Sequence, residues 1–522
     1  MNNRIFLSKL KKLCRLVFGR TMIVFLFLLI QIVFFWLCVN SMRNSMEFFY
    51  AINLIISTVA MVYIISDNKS NTSFKMAWII PVLTLPVFGT LMYAFVRLEF
   101  GTRLVRRKLS DVIVETNRFL PQNDDVVREL ADIDESEARF AEYMKNSAFF
   151  PVYKNTATKY FPLGEDKFEV LKKELLAAEK FIFMEYFIVD EGTMWDSILE
   201  ILKQKVKEGV EVRFMYDGTC TLMLLPVNYP KKMQALGIQC KVFSPIVPVL
   251  STVQNNRDHR KIVVIDGKTA FTGGINLSDE YINEIKRFGH WKDTGIMLKG
   301  EAVKSFTMMF LQNWNMTEQK WDNFSDYIVT DFPEIKNESK PGYVIPYSDS
   351  PLDRENVGQN VYLDILYRAK RYVHIMTPYL IIDDEMSTAL CYAAKRGVDV
   401  SIIMPHIPDK KYAFWLAHTY YAELIEAGVK MYEYTPGFVH AKVFVSDDIR
   451  SVVGSINLDY RSLFLHFECA AYTYGTASVR EAEEDYQLTL QKCESVTLED
   501  CKKFNIFTKI IGRVLRILAP LM

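Results

Sequence analysis

The sequence predicts an α/β protein built from two similar lobes behind an apolar N-terminal region. From about residue 150, short apolar runs of strand length alternate with stretches of helical periodicity. This order repeats after about 180–190 residues, so that KEGVEV (207–212) and KRGVDV (395–400) occupy equivalent places. The period is too long for a solenoid repeat, and it indicates an internal duplication. The excess apolar content lies before residue 97.

The N-terminal region, residues 1–96, contains three apolar segments, at 22–39, 48–66 and 76–96. Each is about long enough to cross a ~30 Å hydrocarbon core as a helix. The first is long, lacks a small-residue cleavage site and is followed by further apolar segments, so we interpret it as an anchor and not as a signal peptide. The sequence therefore predicts transmembrane helices and a multi-pass protein of the cell membrane.

The topology of this region has two interpretations. Basic clusters lie before residue 22 and after residue 96, and the positive-inside rule places both in the cytoplasm. One segment is then re-entrant or interfacial, and the third is the best candidate because Pro81 and Pro86 interrupt its helical pattern. The alternative is three plain crossings with one cluster outside. We expect the two lobes to face the cytoplasm.

The rest of the chain divides into four parts. In the first lobe, 181–189 and 210–217 read as buried strands with a helix between them, and the second lobe repeats this order from 371–382 onward. The predicted boundaries are a mixed-charge helical connector at 97–150, the lobes at 151–334 and 335–500, and an amphipathic C-terminal helix at 501–522.

The C-terminal helix has a basic face and an apolar face. The apolar face carries Phe507, Ile510, Ile511, Val514 and Leu518, and the basic face carries Lys509, Arg513 and Arg516. This pattern suits the surface of an anionic membrane. A terminal helix docked on the protein explains the pattern equally well.

Two short sequence motifs contain the best candidates for catalytic residues. HRKIVVID runs from His259 to Asp266, HAKVFVSD runs from His440 to Asp447, and both fit H-x-K-x4-D. A glycine-containing turn with an asparagine follows each copy. The chain has only seven histidines, so a matched pair of motifs is not readily explained by chance.

This duplicated set suits cleavage of a phosphodiester without a metal. Residues i and i+2 of a strand point to one face, so each histidine projects together with its lysine. Two histidines divide the work of nucleophile and general acid, and lysines and asparagines stabilise the charged transition state. The candidate catalytic residues are His259, Lys261, Asp266, His440, Lys442 and Asp447, and the candidate substrate ligands are Asn276 and Asn457.

Four acidic residues have candidate roles around these histidines. A carboxylate usually orients a catalytic histidine, and Asp293 and Glu468 lie at similar distances downstream of the two motifs. Asp266 and Asp447 close the motifs and could instead tie down neighbouring loops through hydrogen bonds. Plain salt bridges are the alternative for all four.

Composition argues against several other classes of protein. The net charge is zero, with 62 basic and 62 acidic residues, which disfavours a nucleic-acid partner. The eight cysteines form no C-x-x-C pair, and there is no H-E-x-x-H motif. We therefore expect neither a metal nor a cofactor.

The doubled motif resembles that of the phospholipase D superfamily, and its detail is closer to the bacterial cardiolipin synthases. Residues 256–281 resemble that family's first motif and 438–468 its second, and the resemblance extends from about residue 48 to the end. One departure is His466, where the family usually has asparagine before Phe-Glu. The resemblance implies two phospholipase D-like lobes, each a mixed sheet flanked by helices, packed with pseudo-two-fold symmetry.

The resemblance also implies a reaction. One phosphatidylglycerol would donate its phosphatidyl group to a histidine, and a second would accept it to give cardiolipin and glycerol, with no metal or nucleotide. By family analogy His259 is the nucleophile and His440 the acid, although the sequence also allows the reverse. Alternatives are a phospholipase D hydrolase, a transferase using another alcohol, a nuclease and a scaffold without activity. The sequence does not give the oligomeric state.

Overall fold

The chain divides into two compact units in the computed structural model. The first comprises residues 1–104, 246–255 and 514–522, and the second comprises 105–245 and 256–513. The structure describes residues 20–40, 46–68, 71–97, 102–245, 255–335, 342–353 and 355–521.

The described residues of the first unit that precede Leu104 are mainly helical. A small core forms around Ala60, Ile64, Val82 and Tyr93, and the side chain of Gln31 accepts a hydrogen bond from the backbone N–H of Phe88 at 3.0 Å. The helices of this unit are α1 (Arg20–Asn40), α2 (Met46–Ile65), α3 (Thr72–Thr84) and α4 (Pro86–Arg97). Large apolar side chains along α1 and α2 are exposed, among them Phe25, Ile32, Trp36, Ile55, Val59 and Tyr63.

The third apolar segment folds as two short helices that meet at Leu85. The residue before a proline is disfavoured in the helical region, so α3 ends before Pro86, whereas Pro81 stays inside α3. The two helices approach closely at Gly89, where an added Cβ would lie 2.5 Å from the carbonyl carbon of Pro81. The sequence predicted from the same prolines that this segment is interrupted, and the structure locates the break at Leu85.

The predicted transmembrane helices are not confirmed. Within the described ranges, no helix is both long enough and apolar enough to cross a membrane. The basic residues that entered the topology argument before residue 22 include Arg4, Lys9, Lys11, Lys12 and Arg15, which lie outside the described residues.

The connector forms three helices that belong to the second unit for most of their length. They are α5 (Thr102–Asn117), α6 (Asp124–Ile133) and α7 (Glu135–Ala148). Glu137 on α7 is buried and accepts hydrogen bonds from Arg368 at 2.8 Å and from Arg450 at 3.0 Å. Because buried charges need partners, this cluster fixes the connector to the second lobe.

The first lobe is a mixed α/β layer. Its sheet has the strand order β1-β8-β6-β5-β2-β3-β4 among the described residues. The elements are β1 (Thr156–Phe161), α8 (Gly164–Leu176), β2 (Phe181–Tyr186), α9 (Thr193–Lys207), β3 (Glu211–Asp217), α10 (Cys220–Met223), α11 (Tyr229–Ala235), β4 (Gln239–Phe243), β5 (Ile262–Ile265), β6 (Thr269–Gly273), β7 (His290–Lys292), β8 (Gly295–Gly300) and α12 (Val303–Asn315).

The second lobe repeats this arrangement. Its sheet order is β19-β13-β12-β10-β15-β16-β18-β9 in the described part of the chain. The elements are β9 (Tyr343–Asp349), α13 (Val357–Arg368), β10 (Tyr372–Met376), β11 (Leu380–Ile381), α14 (Asp384–Lys395), β12 (Asp399–Pro405), α15 (Lys411–Glu426), β13 (Lys430–Tyr434), β14 (Gly437–Val439), β15 (Val443–Ser446), β16 (Arg450–Gly454), β17 (Leu458–Asp459), α16 (Tyr460–Phe464), β18 (Glu468–Tyr474), α17 (Ala477–Leu490), β19 (Cys493–Val496), α18 (Leu498–Lys503) and α19 (Ile506–Leu518).

The seven strands of the first sheet correspond in order to β9-β18-β16-β15-β10-β12-β13 of the second, and β19 is an additional edge strand. In the first, β2 pairs in parallel with β3 and antiparallel with β5, and in the second β10 pairs in the same way with β12 and β15. The predicted α/β class, the mixed sheets and the duplication are therefore confirmed. The central strands are buried on both faces, which explains why their sequences are continuous apolar runs without alternation.

The lobes meet through their motif regions. β14 of the second lobe pairs in parallel with β7 of the first, and an equivalent parallel bridge joins Asp258 to Phe467. In the interior, the hydroxyl of Thr272 on β6 lies 3.3 Å from the sulfur of Cys469 on β18. Each motif is thus anchored to backbone of the opposite lobe.

Candidate active site

The two motif histidines are held by equivalent backbone contacts. The backbone N–H of His259, just before β5, donates to the carbonyl oxygen of Phe467 at 2.9 Å. The backbone N–H of His440, just before β15, donates to the carbonyl oxygen of Lys292 at 2.7 Å. Both side chains are more than nine-tenths buried. The duplication therefore places the two imidazoles at matching points of one interface.

Each histidine is oriented by a carboxylate from the other lobe. Nδ1 of His259 lies 2.9 and 3.0 Å from the two carboxylate oxygens of Glu468. Nδ1 of His440 lies 2.6 Å from Oδ2 of Asp293. The sequence singled out both carboxylates as orienting groups, and the structure now gives their pairing, which crosses between the lobes.

This pairing fixes the tautomer of both rings. A carboxylate that accepts the Nδ1–H leaves the lone pair on Nε2, which is the nitrogen available for attack or proton transfer. The carboxylates are held in turn, since Glu468 accepts a hydrogen bond from the hydroxyl of Ser455 and Asp293 accepts one from the backbone N–H of Thr294 at 2.8 Å. Both carboxylates are fully buried. The orientation of each imidazole is therefore set before substrate arrives.

The two motif lysines lie beside their histidines. Nζ of Lys261 donates to the backbone carbonyl oxygen of His259, and Nζ of Lys442 donates to that of His440. Nζ of Lys442 is also 2.8 Å from Nδ1 of His440. The two-residue spacing in an extended segment explains why each pair projects together.

Burial shifts the protonation of all four groups toward their neutral forms. Burial lowers the pKa of His259 to about 3 and that of His440 to about 4. Burial likewise lowers the pKa of Lys261 to about 8 and that of Lys442 to about 7. The charge of Lys261 contributes to the lowered pKa of both histidines, so the two motifs act on each other electrostatically.

The two orienting carboxylates are instead shifted toward their charged forms. Burial alone would raise their pKa values, but His259 outweighs it at Glu468, and His440 with Lys442 outweighs it at Asp293. Both pKa values are therefore below the usual range, and both groups are anionic. An anionic phosphodiester entering this site would favour protonated lysines and a protonated general acid.

The lowered pKa values of the lysines predict an alkaline limb in the pH profile. Lys442 and Lys261 are protonated below about pH 7 and lose their charge as the pH rises through about 7 and 8. Because a neutral amine stabilises a phosphoryl anion poorly, kcat/KM should fall more steeply above pH 7 than it does between pH 5 and 7, where only the general acid His440 loses its proton. Assays from pH 5 to 10 test this. A profile that stays level to pH 10 would contradict it, whereas kcat at saturating substrate should fall only at higher pH.

The two asparagines differ in their surroundings. Oδ1 of Asn276 accepts from the backbone N–H of Ile188 at 3.0 Å, and its Nδ2 donates to the hydroxyl of Tyr281 at 2.7 Å. Oδ1 of Asn457 is buried and has no hydrogen-bonding partner among the described residues. Asn276 therefore holds the backbone at Ile188 in place, whereas Oδ1 of Asn457 accepts no hydrogen bond from the described residues.

Asp266 and Asp447 lie at the far ends of strands β5 and β15 from the histidines. The carboxylate of Asp266 accepts from the backbone N–H groups of residues 179, 180 and 181 at 2.7–2.8 Å. Asp447 accepts from those of residues 370, 371 and 372 at 2.8–3.0 Å. The sequence analysis grouped both with the catalytic set. Their contacts are those of a structural brace, which accords with the loop-tying alternative.

Removing the carboxylate of Asp266 should destabilise the folded protein. Asp266→Ala should lower the free energy of unfolding by about 2–4 kcal/mol, because three backbone N–H groups lose a charged acceptor. Asp266→Asn keeps an acceptor and tolerates the φ of +53° at this turn, so it should cost less. Denaturant unfolding of both variants measures the difference. Unchanged stability with lost activity would contradict the brace and favour a chemical role.

Comparison with known proteins decides the family. The family described as "Cardiolipin synthase, PLD-like domain" matches residues 171–314 and 362–489, and "Phospholipase D-nuclease N-terminal" matches 55–97. A cardiolipin synthase of Halalkalibacterium halodurans is 31% identical over 96% of this chain and 99% of that protein. The chain belongs to the phospholipase D-like cardiolipin synthase family. It is therefore a phosphatidyltransferase of the phospholipase D superfamily.

A second relative and one solved structure are also similar to this chain. An uncharacterized protein of Streptococcus mutans is 53% identical over 89% of this chain and 99% of that protein. The fold is similar to the crystal structure of a phosphatidylserine synthase from Haemophilus influenzae, with a TM-score of 0.56 and 13% identity. That likeness covers 73% of this chain and 97% of the other. It supports the phospholipase D-like fold of this cardiolipin synthase family member.

One cluster in this family member has the donor set of a metal site. Within the described residues, ligand atoms of His259, His466 and Glu468 all lie within 4.8 Å of one another. Two of these groups already pair through a hydrogen bond, and Lys261 adds positive charge beside them. The surroundings therefore suit an anion better than a divalent cation.

Three features of the site were not predicted from the sequence. Aromatic rings flank the histidines, with Phe187 at 4.9 Å from His259 and Trp291 at 5.2 Å from His440, measured between ring centres. Behind the first motif, Arg260 is buried and donates to Glu185. Phe187 and Glu185 are distant in sequence from both motifs, and no spacing in the sequence links them to the histidines. The third feature is the crossed pairing of the carboxylates.

Proposed function

We propose that the protein transfers a phosphatidyl group from one phosphatidylglycerol to another, giving cardiolipin and glycerol through a phosphohistidine intermediate. The observation that carries this proposal is the crossed pairing of His259 with Glu468 and of His440 with Asp293. This pairing leaves an Nε2 atom from each lobe for one phosphodiester. The family membership supports a lipid phosphodiester as the substrate.

The first half-reaction forms the intermediate. The lone pair on Nε2 of His259 attacks phosphorus, and the bond from phosphorus to the glycerol oxygen breaks. His440, protonated on Nε2 in the presence of the phosphodiester anion, gives that proton to the departing alkoxide, so that neutral glycerol leaves. Lys261 and Lys442 stabilise the charge that grows on the phosphoryl oxygens.

The second half-reaction restores the enzyme. Neutral His440 removes the proton from a hydroxyl of the second phosphatidylglycerol. The resulting alkoxide oxygen attacks phosphorus, and the bond from phosphorus to Nε2 of His259 breaks. Two phosphatidylglycerol molecules have then become one cardiolipin and one glycerol, and both histidines have returned to their initial protonation. The order of the two histidines follows family analogy.

The lipid substrates also support attachment to a membrane. The exposed apolar side chains on α1 and α2 would be buried by acyl chains, which is favourable in proportion to the apolar area removed from water. We propose multi-pass anchoring through residues 22–39, 48–66 and 76–96, with the pair α3 and α4 entering and leaving on one side. Both basic clusters and the lobes then face the cytoplasm.

The C-terminal helix α19 also suits attachment to a membrane. Gly512 on α19 packs against the backbone of Trp415 on α15, where an added Cβ would lie 2.7 Å from the carbonyl oxygen. The apolar side chains of Ile506, Phe507 and Ile510 are nevertheless exposed. We propose that this face enters the headgroup region of the membrane while Lys509 and Arg513 meet anionic lipid.

Product analysis from phosphatidylglycerol alone tests the proposed reaction. Purified protein in detergent micelles should convert it into cardiolipin and glycerol in equal amounts, measured by mass spectrometry and an enzymatic glycerol assay. Phosphatidic acid as the main product would instead support a phospholipase D hydrolase. A product that appears only when another alcohol is added would support a different acceptor. In either of these cases the proposed function is wrong.

A further inference from the structure

His466 occupies a position that faces the histidine nucleophile. It lies two residues before Glu468, as Trp291 lies two residues before Asp293. Because residues i and i+2 of an extended segment share a face, each of these rings turns toward the histidine that its neighbouring carboxylate orients. The ring centre of His466 is 5.6 Å from that of His259, and the Trp291 ring is 5.2 Å from that of His440.

The ring nitrogens of His466 have no hydrogen-bonding partner among the residues that the structure describes. All seven histidines lie in the described part of the chain, and the other six each have a ring nitrogen in a hydrogen bond. Both nitrogens of His466 are buried without one, and its side chain is only 10% exposed. The nearest carboxylate oxygen, on Glu468, is 3.7 Å from Nδ1, which is longer than a hydrogen bond.

An unpaired buried imidazole is unusual, because buried polar groups are nearly always hydrogen-bonded. A neutral imidazole offers one N–H donor and one acceptor, and either nitrogen carries the N–H in one of the tautomers. The polar group that the reaction brings closest to this ring is the phosphodiester, since its phosphorus must reach Nε2 of His259. Bound substrate would therefore give His466 a hydrogen-bonding partner that none of the described residues provides.

We propose that His466 is a third active-site imidazole, which donates an N–H to a non-bridging oxygen of the phosphodiester attacked by His259. This inference rests on the proposed function and names a further contact of the same site. In an in-line attack the nucleophile and the leaving group occupy opposite sides of phosphorus, and the non-bridging oxygens lie between them. The His466 ring centre lies 5.6 Å from that of the nucleophile His259, so we place its contact at those oxygens and not at the departing glycerol.

A donor at this place acts mainly in the transition state. Charge on the non-bridging oxygens rises as the pentacovalent state forms, so a hydrogen bond to one of them strengthens during the step. Its loss should lower kcat and leave KM nearly unchanged. A purely structural ring would instead show its loss as lower stability.

Two variants at this position separate the roles. His466→Phe keeps a ring and removes both nitrogens, and His466→Asn restores an N–H donor. His406→Asn is the control, because the side chain of His406 is about half exposed and pairs with Glu433 away from the motif histidines. Rates are measured as loss of phosphatidylglycerol and as p-nitrophenolate release from bis(p-nitrophenyl) phosphate, and thermal unfolding is measured in parallel.

We expect His466→Phe to lower kcat on both substrates by about 10- to 100-fold, with an unfolding temperature like that of the wild type. His466→Asn should recover most of that loss. The inference is overturned if His466→Phe stays within about twofold of wild type, or if the asparagine variant is as slow as the phenylalanine variant. If no cardiolipin forms, the proposed function fails, and the aryl phosphodiester rates still decide the role of His466. If the wild type turns over neither substrate, both proposals fail.

Discussion

Replacing His259 with alanine should abolish cardiolipin formation and the covalent phosphatidyl-enzyme together. The loss expected for removal of a covalent nucleophile is at least about 10⁴-fold, because in the proposed reaction only His259 forms the bond to phosphorus. Acid-quenched reactions with phosphatidyl-labelled lipid measure the adduct, and mass spectrometry measures the product. Thermal unfolding should accompany this assay, because His259→Ala keeps the backbone contact with Phe467 but removes the imidazole partner of the buried Glu468 carboxylate.

The His440→Ala variant is the companion experiment. It should also lose cardiolipin formation, because the alkoxide leaving group then has no proton donor. It should still acquire the adduct from a lipid whose leaving group needs no proton, such as phosphatidyl p-nitrophenol. If the label were found on His440, and if His259→Ala kept it, the order of the two histidines would be reversed.

Removing the charge of each orienting carboxylate should also cost on the order of 10³- to 10⁴-fold in kcat, as loss of the correct tautomer does in other histidine enzymes. Glu468→Gln and Asp293→Asn are close in size to the native residues. Their effects should nevertheless differ in kind. Glu468 serves the nucleophile His259, and Asp293 serves the acid His440.

Leaving-group dependence distinguishes the two variants. Phosphatidyl p-nitrophenol needs no proton on its leaving group, so it should restore adduct formation in Asp293→Asn and leave Glu468→Gln slow. An arrangement in which each carboxylate serves the histidine of its own lobe would give the opposite result. Asp266→Asn is a suitable control, since that carboxylate braces residues 179–181 at the far end of β5.

The fold was largely predictable because the same pattern of strands and helices occurs twice in the sequence. The apolar runs at 181–189 and 210–217 correspond to β2 and β3, and the second lobe repeats the pattern. The N-terminal region was less predictable. Hydropathy alone does not locate a helix break, and the break in the third segment depends on the backbone restriction that Pro86 places on Leu85.

The site was predictable in its residue types and not in its connections. The two-residue spacing brought each histidine together with its lysine, and that expectation agrees with the lysine contacts. Which carboxylate serves which histidine depends on how the lobes pair, through Asp258 with Phe467 and through β14 with β7, and no spacing within one lobe contains that information. The unpaired nitrogens of His466 likewise become visible only when its surroundings are known.

The most direct test of one site shared by two lobes is the stoichiometry of the trapped intermediate. Wild-type protein mixed rapidly with labelled phosphatidylglycerol and quenched in acid should carry no more than one phosphatidyl group per chain, with the label on the peptide containing His259. Two groups per chain, or label divided between the peptides of His259 and His440, would mean that each imidazole works on its own phosphorus, which contradicts the account.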